Sequence, residues 1–397
     1  MGIFDHYFSN SVKKIANNVL SKIKLGNLIV TYPNGEKRKF LGERAGYDVD
    51  IKFNNYKLFT KLLRKGATGL AESYMDGDFE TKNLSRLLLF CHENESFFLK
   101  DKNKHLILDY YIKFKHYLNE NTTSKSKKNI SYHYDLGNDF YKHWLDKSMT
   151  YSSAIFSSSN TDLFEAQINK YEQIAKPLKL NENSTLLEIG CGWGGFSTFV
   201  AKKYGANVTA ITLSKEQYDF ASKKIFKEGL NEKVKLEIKD YREINESYTH
   251  IASIEMFEAV GKKYWETFLN TVKNSLSPNG LASLQIITIN NDKVTQYQSN
   301  PDFIQQYIFP GGFLPSKNQL EKITNQIGLS LIELQNFKNS YAKTLQIWNN
   351  KFQIAWPNIA AQGFSLRFKK MWEYYLSYCE AGFISGSTDV SQFIIKK

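Results

Sequence analysis

The chain has 397 residues, 42% of them hydrophobic and 15% aromatic, which excludes a disordered polymer and predicts one large domain with a smaller companion. Lysine and arginine outnumber aspartate and glutamate by 52 to 40, a net charge of +12 that suits an anionic partner such as a phospholipid surface or nucleic acid without choosing between them. Three cysteines without a CxxC pair argue against a disulfide framework and for a reducing cytosol; no apolar run reaches the roughly 18 residues of a membrane-spanning helix.

In chain order, Phe8, Val12, Ile15, Val19 and Ile23 recur at steps of four and three, which places them on one helical face with Lys13, Lys14 and Lys24 largely opposite. Such a helix packs on its own domain or lies on an anionic membrane. His6 stands where a myristoylation signal needs Ser or Thr, and the N-terminus lacks the continuous apolar core of a signal peptide. GNLIVTYPNGEKRKF reads as a β-hairpin around Pro33-Asn34-Gly35, and residues 57–90 read as helices split by glycines. Residues 1–120 are therefore expected to form a small mixed, mainly helical domain open to lipid contact. The polar run NENTTSKSKKN marks a linker, set at 121–131; its Lys125 to Lys128 are a solvated stretch or an attraction to lipid headgroups of roughly 1 kcal/mol per basic residue.

From Tyr132 the texture changes to alternating strands and helices. TLLEIG, NVTAITL, VKLEIKD, HIASIEMF and LASLQIITI are the predicted strands, separated by FSTFVAKKYG, KEQYDFASKKIFKEG and KYWETFLNTVKNSL as helices. A helical stretch from Tyr341 to Phe383 and a last strand from Gln392 to Ile395 complete a 132–397 domain. This order predicts an α/β fold, a largely parallel Rossmann-like sheet with helices on both faces, preceded by the smaller α+β domain.

The most informative run is Leu186-Leu187-Glu188-Ile189-Gly190-Cys191-Gly192-Trp193-Gly194-Gly195-Phe196, a strand ending in a glycine loop. Glycine at 190, 192 and 194 removes the Cβ atoms that would hold a ligand off the backbone and permits positive φ, as a nucleotide-like ligand requires. Gly190, Gly192 and Gly195 also satisfy GxGxxG, so a dinucleotide is weighed against S-adenosylmethionine. The loop opens the second domain, and the second strand ends at Thr212 where a dinucleotide site favours an acid; both features argue for S-adenosylmethionine.

GCGWGG after a strand, YHYDLGNDFYKHWLD upstream, TLSKEQ, DYRE and MFEAVG after the next three strands, YIFPGG and the terminal YYLSYCEAGF together resemble the cyclopropane-fatty-acyl-phospholipid synthase family. These blocks run in order from Tyr132 to Ile395, and GLAESYMDGDF extends the likeness into the N-terminal domain. The resemblance implies a class I methyltransferase that uses S-adenosylmethionine to alkylate the cis double bond of an acyl chain on an unsaturated phospholipid, giving a cyclopropane. It implies Tyr151, Ser152, Gly190, Gly192 and Trp193 at the methionine part of the cofactor, Thr212, Leu213 and Gln217 at the ribose, and Tyr241 and Arg242 at the adenine. Glu188, Cys191 and Gly194 complete the expected cofactor-binding set.

In that family the base is thought to be bicarbonate, held by a glutamate, a histidine, a tyrosine and backbone beside a cysteine. The resemblance maps the glutamate to Glu258, the tyrosine to Tyr341 and a backbone contact to Ile287. Ser153 stands in the cysteine position and Gln285 in the histidine position, while Ala259 replaces a frequent second histidine. Ser153 and Gln285 still offer donors to an anion, but the loss of a group titrating near neutrality bears on which proton leaves, and so keeps a methyl-branched or methylene product open beside the ring. Cys379 is a catalytic candidate by the same resemblance and a core residue by its helical setting; Cys191 reads as structural. His133 is either part of a lid over the cofactor or an ordinary packed side chain. The seven histidines show no ligand spacing, so no metal is expected. The expected partner is unsaturated phospholipid in an anionic membrane, met by a cytoplasmic enzyme bound peripherally to the inner face and able to pair as a homodimer. A nucleic-acid methyltransferase is the rival enzyme, without an Asn-Pro-Pro-Tyr motif to support it. A non-catalytic lipid- or cofactor-binding module is the rival of another class.

Overall fold

The computed structural model describes residues 13–14, 16–98, 136–158, 161–299 and 301–397. Phe8, Val12, Ile15, the 121–131 linker with Lys125 to Lys128, and His6, His105, His116 and His133 lie outside the described residues. The chain divides into two compact units, one of Met1–Phe114, Asn300–Phe303 and Trp356–Ser385, the other of Lys115–Ser299, Ile304–Ala355 and Gly386–Lys397.

The first unit carries β1 (Leu25–Thr31), β2 (Lys37–Leu41), β3 (Arg44–Phe53), α1 (Lys57–Lys65), α2 (Ala67–Met75), β4 (Phe79–Glu80) and α3 (Leu84–Phe98). The hairpin forms where Pro33-Asn34-Gly35 predicts it, with β1 and β2 antiparallel; β3 then pairs parallel to β1, so the sheet order is β2-β1-β3-β4. Leu28, Val30, Phe40, Phe53, Phe79, Leu87 and Phe90 fill the core. In the helix before β1, Ala16 is buried and Val19 is 40% exposed, so the buried face is offset from the one the spacing predicts.

Asn94 ties α3 to the sheet. Its Oδ1 accepts from the amides of Lys24 and Leu25 at 2.9 and 3.1 Å, and its Nδ2 donates to the carbonyls of Leu25 and Phe90, both at 3.0 Å. Asn94→Ala leaves buried backbone groups unpaired and is expected to cost about 3 kcal/mol, read as a lower urea midpoint.

The second unit carries α4 (Asn138–Lys142), α5 (Leu163–Ala175), β5 (Thr185–Ile189), α6 (Gly195–Tyr204), β6 (Asn207–Thr212), α7 (Lys215–Lys227), β7 (Val234–Ile238), β8 (Tyr248–Ile254), α8 (Trp265–Ser275), β9 (Leu276–Ile289), α9 (Lys317–Gln326) and β10 (Ser330–Asn336). Along the chain then follow α10 (Lys338–Ala360), most of it in the second unit, α11 (Leu366–Ser385), which belongs to the first, and β11 (Thr388–Lys396), which returns to the second. The seven strands order as β10-β11-β9-β8-β5-β6-β7, with β7, β6, β5, β8 and β9 parallel and β11 antiparallel to both neighbours. Alternation along the strands sends Leu186, Val208 and Ala210 to a core with Tyr171, Phe196 and Ile225, and Leu187, Ile189 and Ile211 to the opposite core with Phe268 and Leu320. Both faces are thus covered, as the strand and helix alternation predicts.

The stretch from Tyr341 to Phe383 is two helices, α10 and α11, separated near Gly363 at φ +95°. Residues 356–385, assigned by sequence to the second domain, group with the first unit, because α11 buries Trp372, Tyr374, Leu376 and Phe383 and packs on α2 and α3.

Candidate functional site

The carboxyl ends of β5, β6 and β8 converge on one cleft. Beyond Ile189 the chain turns at Gly190, Gly192 and Gly194, with φ of +82°, +53° and +76°, before α6 begins at Gly195. The amides of Gly190 and Cys191 both donate to the Ile211 carbonyl, at 3.1 and 3.0 Å, and pin the loop to β6. A Cβ on Gly190 would meet Met256 Cγ at 2.8 Å, whereas one on Gly192 would enter open space. The backbone is therefore bare where it borders the cleft.

That cleft opens to solvent and is bordered by the glycine loop and by the residues that follow β6 and β8. Of the expected cofactor residues, Tyr151, Ser152, Glu188, Gly190, Cys191, Gly192, Trp193, Thr212, Leu213, Gln217 and Tyr241 line it; Gly194 and Arg242 do not. The Thr212 hydroxyl donates to Gln217 Oε1 at 2.8 Å, fixing one polar edge. Tyr241 is buried at the edge of the cleft, its hydroxyl has no hydrogen-bond partner among the described residues, and burial pushes its pKa up to about 12. Arg242 is forked onto Asp240 at 2.8 and 2.6 Å, which explains its withdrawal. Cys191 is core, its thiol raised well above the ordinary range by burial.

One wall is aromatic. Tyr151 packs against Tyr141, Trp144 and Trp348 with centroids 5.4–5.5 Å away, and Trp193 lies 5.0 Å from Tyr141 while its indole N–H donates to Asn138 Oδ1 at 2.6 Å. Behind it Lys170 is fully buried, donating from Nζ to Ser152 Oγ at 2.7 Å. Burial lowers its pKa to about 7, against the nearby charges of Glu255, Asp146 and Glu188. Glu188, buried and accepting from the Ser197 hydroxyl, is raised by burial to about 8.

Just past β8 sits a second cluster, and its centre is a residue that the sequence reading did not single out. Glu255 adopts φ +51°, lines the cleft, and accepts at Oε1 from the Ser153 amide at 2.8 Å and Gln285 Nε2 at 2.7 Å, and at Oε2 from the Tyr341 hydroxyl at 2.6 Å. Glu258 is separate: its Oε1 accepts from the Ile287 amide, while its buried Oε2 has no partner among the described residues. Burial and the Glu255 charge raise Glu258 to about 8.

The structure thus brings Ser153, Gln285 and Tyr341 together, but around Glu255. Ser153, Gln285 and Tyr341 would have to release a carboxylate before they could hold a bicarbonate ion, and a second anion would face the charge of Glu255; bicarbonate does not fit this arrangement. Cys379 belongs to the first unit, where burial and Asp302 hold its thiol above the ordinary range, unlike a reactive thiolate. Among the described residues no group of three or more His, Cys, Asp or Glu side chains is placed to hold a metal.

Residues 121–393 match the family model described as mycolic acid cyclopropane synthetase, and residues 15–103 match that of a domain of unknown function. The chain is 33% identical over 346 residues to the tuberculostearic acid methyltransferase of Mycobacterium tuberculosis, covering 85% of this chain and 81% of that one. It is 34% identical over 356 residues to the cyclopropane-fatty-acyl-phospholipid synthase of Escherichia coli, covering 88% of each. Among solved structures, a mycolic acid cyclopropane synthase complexed with SAH and CTAB superposes with a TM-score of 0.64 at 30% identity, over 68% of this chain and 98% of that one.

Proposed function

The chain belongs to the mycolic acid cyclopropane synthetase family, and from that premise we propose that its second unit methylates the cis double bond of an unsaturated acyl chain on a phospholipid and closes a cyclopropane ring. It is a methyltransferase of the cyclopropane synthase type, and its methyl donor is S-adenosylmethionine. The observation that carries the reading is the bare glycine loop opening on a cleft at the carboxyl ends of β5, β6 and β8, beside a carboxylate that accepts from three donors.

When bound, S-adenosylmethionine supplies an electrophilic methyl group on a sulfonium centre. The Cβ-free backbone of the glycine loop lets the methionine part approach, the edge of Thr212 and Gln217 suits the ribose hydroxyls, and Tyr241 borders the place of the base. An alkene is a weak nucleophile, so the site must orient it closely and exclude water. The half-buried Tyr151 and buried Trp193, both lining the cleft, answer both needs and steady positive charge.

Access to the lipid is peripheral in this reading, at the inner face of an anionic membrane. Its support is the net charge of +12; no helix among the described residues is long and apolar enough to cross a membrane. Purified protein given methyl-labelled cofactor and anionic vesicles is expected to label lipid when the acyl chains are cis-unsaturated and not when they are saturated. Label transferred to duplex DNA instead, or none transferred at all, contradicts the reading.

One observation favours a second product. Gln285 stands where the resemblance leads one to expect a histidine, and the relatives include a protein named as a methyltransferase beside one named as a cyclopropane synthase. The same methyl transfer would then end in a methyl-branched or methylene chain.

A further inference from the structure

Glu255 has a conformation and a set of partners that packing alone does not explain. A non-glycine residue at φ +51° is strained, and here it directs a carboxylate into a ring of donors from three parts of the second unit. A carboxylate offers about four lone-pair positions. Two on Oε1 and one on Oε2 are filled by Ser153, Gln285 and Tyr341, which leaves one on Oε2 of a residue that borders the cleft.

We propose that Glu255 is the base of the reaction, its own carboxylate occupying the place of a bound bicarbonate and accepting the proton whose loss completes the product. The assignment rests on the methyl-transfer reading above. Once the transferred carbon has bonded to one carbon of the double bond, the chain carries a positive charge on the other. Glu255 Oε2 takes a proton from the added methyl group, and the electron pair of that C–H bond becomes the last C–C bond of the ring. The carboxylate becomes a neutral acid as the chain becomes neutral, so charge and atoms balance. Removal of a proton from a neighbouring chain carbon would instead return the pair to a C=C bond and leave a branched olefin.

The surroundings suit this task. Burial raises the basicity of Glu255 above that of an ordinary carboxylate, while Tyr341, Gln285, Ser153 and the Lys170 charge keep the ionised form accessible. Glu258, raised first by burial and then by the Glu255 charge, favours its neutral form and so does not readily add a second anion. Tyr341, Gln285 and Ser153 are positioning residues for the base.

The test compares the unaltered chain, Glu255→Gln and Glu255→Gly, with methyl-labelled cofactor and unsaturated anionic vesicles, in buffer stripped of carbon dioxide and again with added bicarbonate or formate. The unaltered chain is expected to turn over equally with and without bicarbonate. E255Q should bind SAH as the unaltered chain does, by calorimetry, yet turn over at least ~100-fold more slowly, the range expected for a lost general base. E255G relieves the positive φ and opens the site, so added formate or bicarbonate should restore part of its turnover. Tyr341→Phe should retain turnover only at higher pH, because its lost hydroxyl favours the ionised form of Glu255. Bicarbonate dependence of the unaltered chain, which requires no variant to fold, or near-normal turnover by E255Q, overturns the assignment and leaves the methyl-transfer reading standing. Absence of transfer by the unaltered chain overturns that reading itself.

Discussion

Gly190→Ala is expected to weaken cofactor binding by about 100-fold while leaving the fold intact. An L-residue at φ +82° costs roughly 1–2 kcal/mol. Its Cβ would also lie 2.8 Å from Met256 Cγ. Met256 is flexible and can yield, but it lines the cleft, so relieving the contact moves a side chain into ligand space. Where the loop and Met256 relax in the free protein, binding must restore the strained geometry, so these effects together amount to about 3 kcal/mol, or ~100-fold in affinity. Calorimetric titration with SAH measures it; an affinity within a few-fold of the wild type would contradict the loop as the cofactor cradle.

Lys170→Met is expected to stabilise the second unit and impair turnover. The lysine is fully buried, and its pKa falls from 10.5 to about 7, chiefly because burial disfavours its charge. Sign matters here: between about pH 7 and 10.5 the unfolded chain binds this proton and the native chain does not, so stability rises with pH across that window. The contribution is complete above 10.5 and is lost as pH falls toward 7. Methionine removes this dependence, so the variant should gain on the order of 4 kcal/mol near pH 7 and lose about 1.4 kcal/mol per pH unit of slope within the window. Urea unfolding of both proteins at pH 7.5 and 9.5 reads the difference; equal slopes would contradict it. Turnover near neutral pH should fall, because Lys170 is the cation that favours ionised Glu255. Stability surrendered at a reactive site for function is the trade this pair of effects describes.

Much of this architecture was legible in the sequence because the signals were periodic or backbone-borne. LLEIGCGWGGF announced a strand, a turn requiring positive φ and a helix, and all three stand where the sequence puts them. The strand β10 was missed since its side chains are mostly exposed at the sheet edge, with Glu333 breaking the apolar pattern. Helix α11 was assigned to the second domain because its apolar stripe declares a buried face but not the surface that buries it. In the site, Glu258 drew attention as the glutamate of MFEAVG, and Glu255, three residues earlier in SIEMFE, passed for the end of a strand. Its role depends on Ser153, Gln285 and Tyr341, up to 102 positions away in sequence, meeting at one carboxylate. A signal was present all the same: two acids three residues apart at the carboxyl end of a parallel strand, where such sheets place their ligands.

The central claim, that this chain adds one carbon across a cis double bond and closes the ring, is tested most directly by the product. Unsaturated phospholipid converted by the purified protein, then hydrolysed and examined by mass spectrometry and proton NMR, should give an acyl chain one CH2 heavier that resists ozone and shows cyclopropane ring protons. An acyl chain one CH2 heavier that is still cleaved by ozone would contradict ring closure.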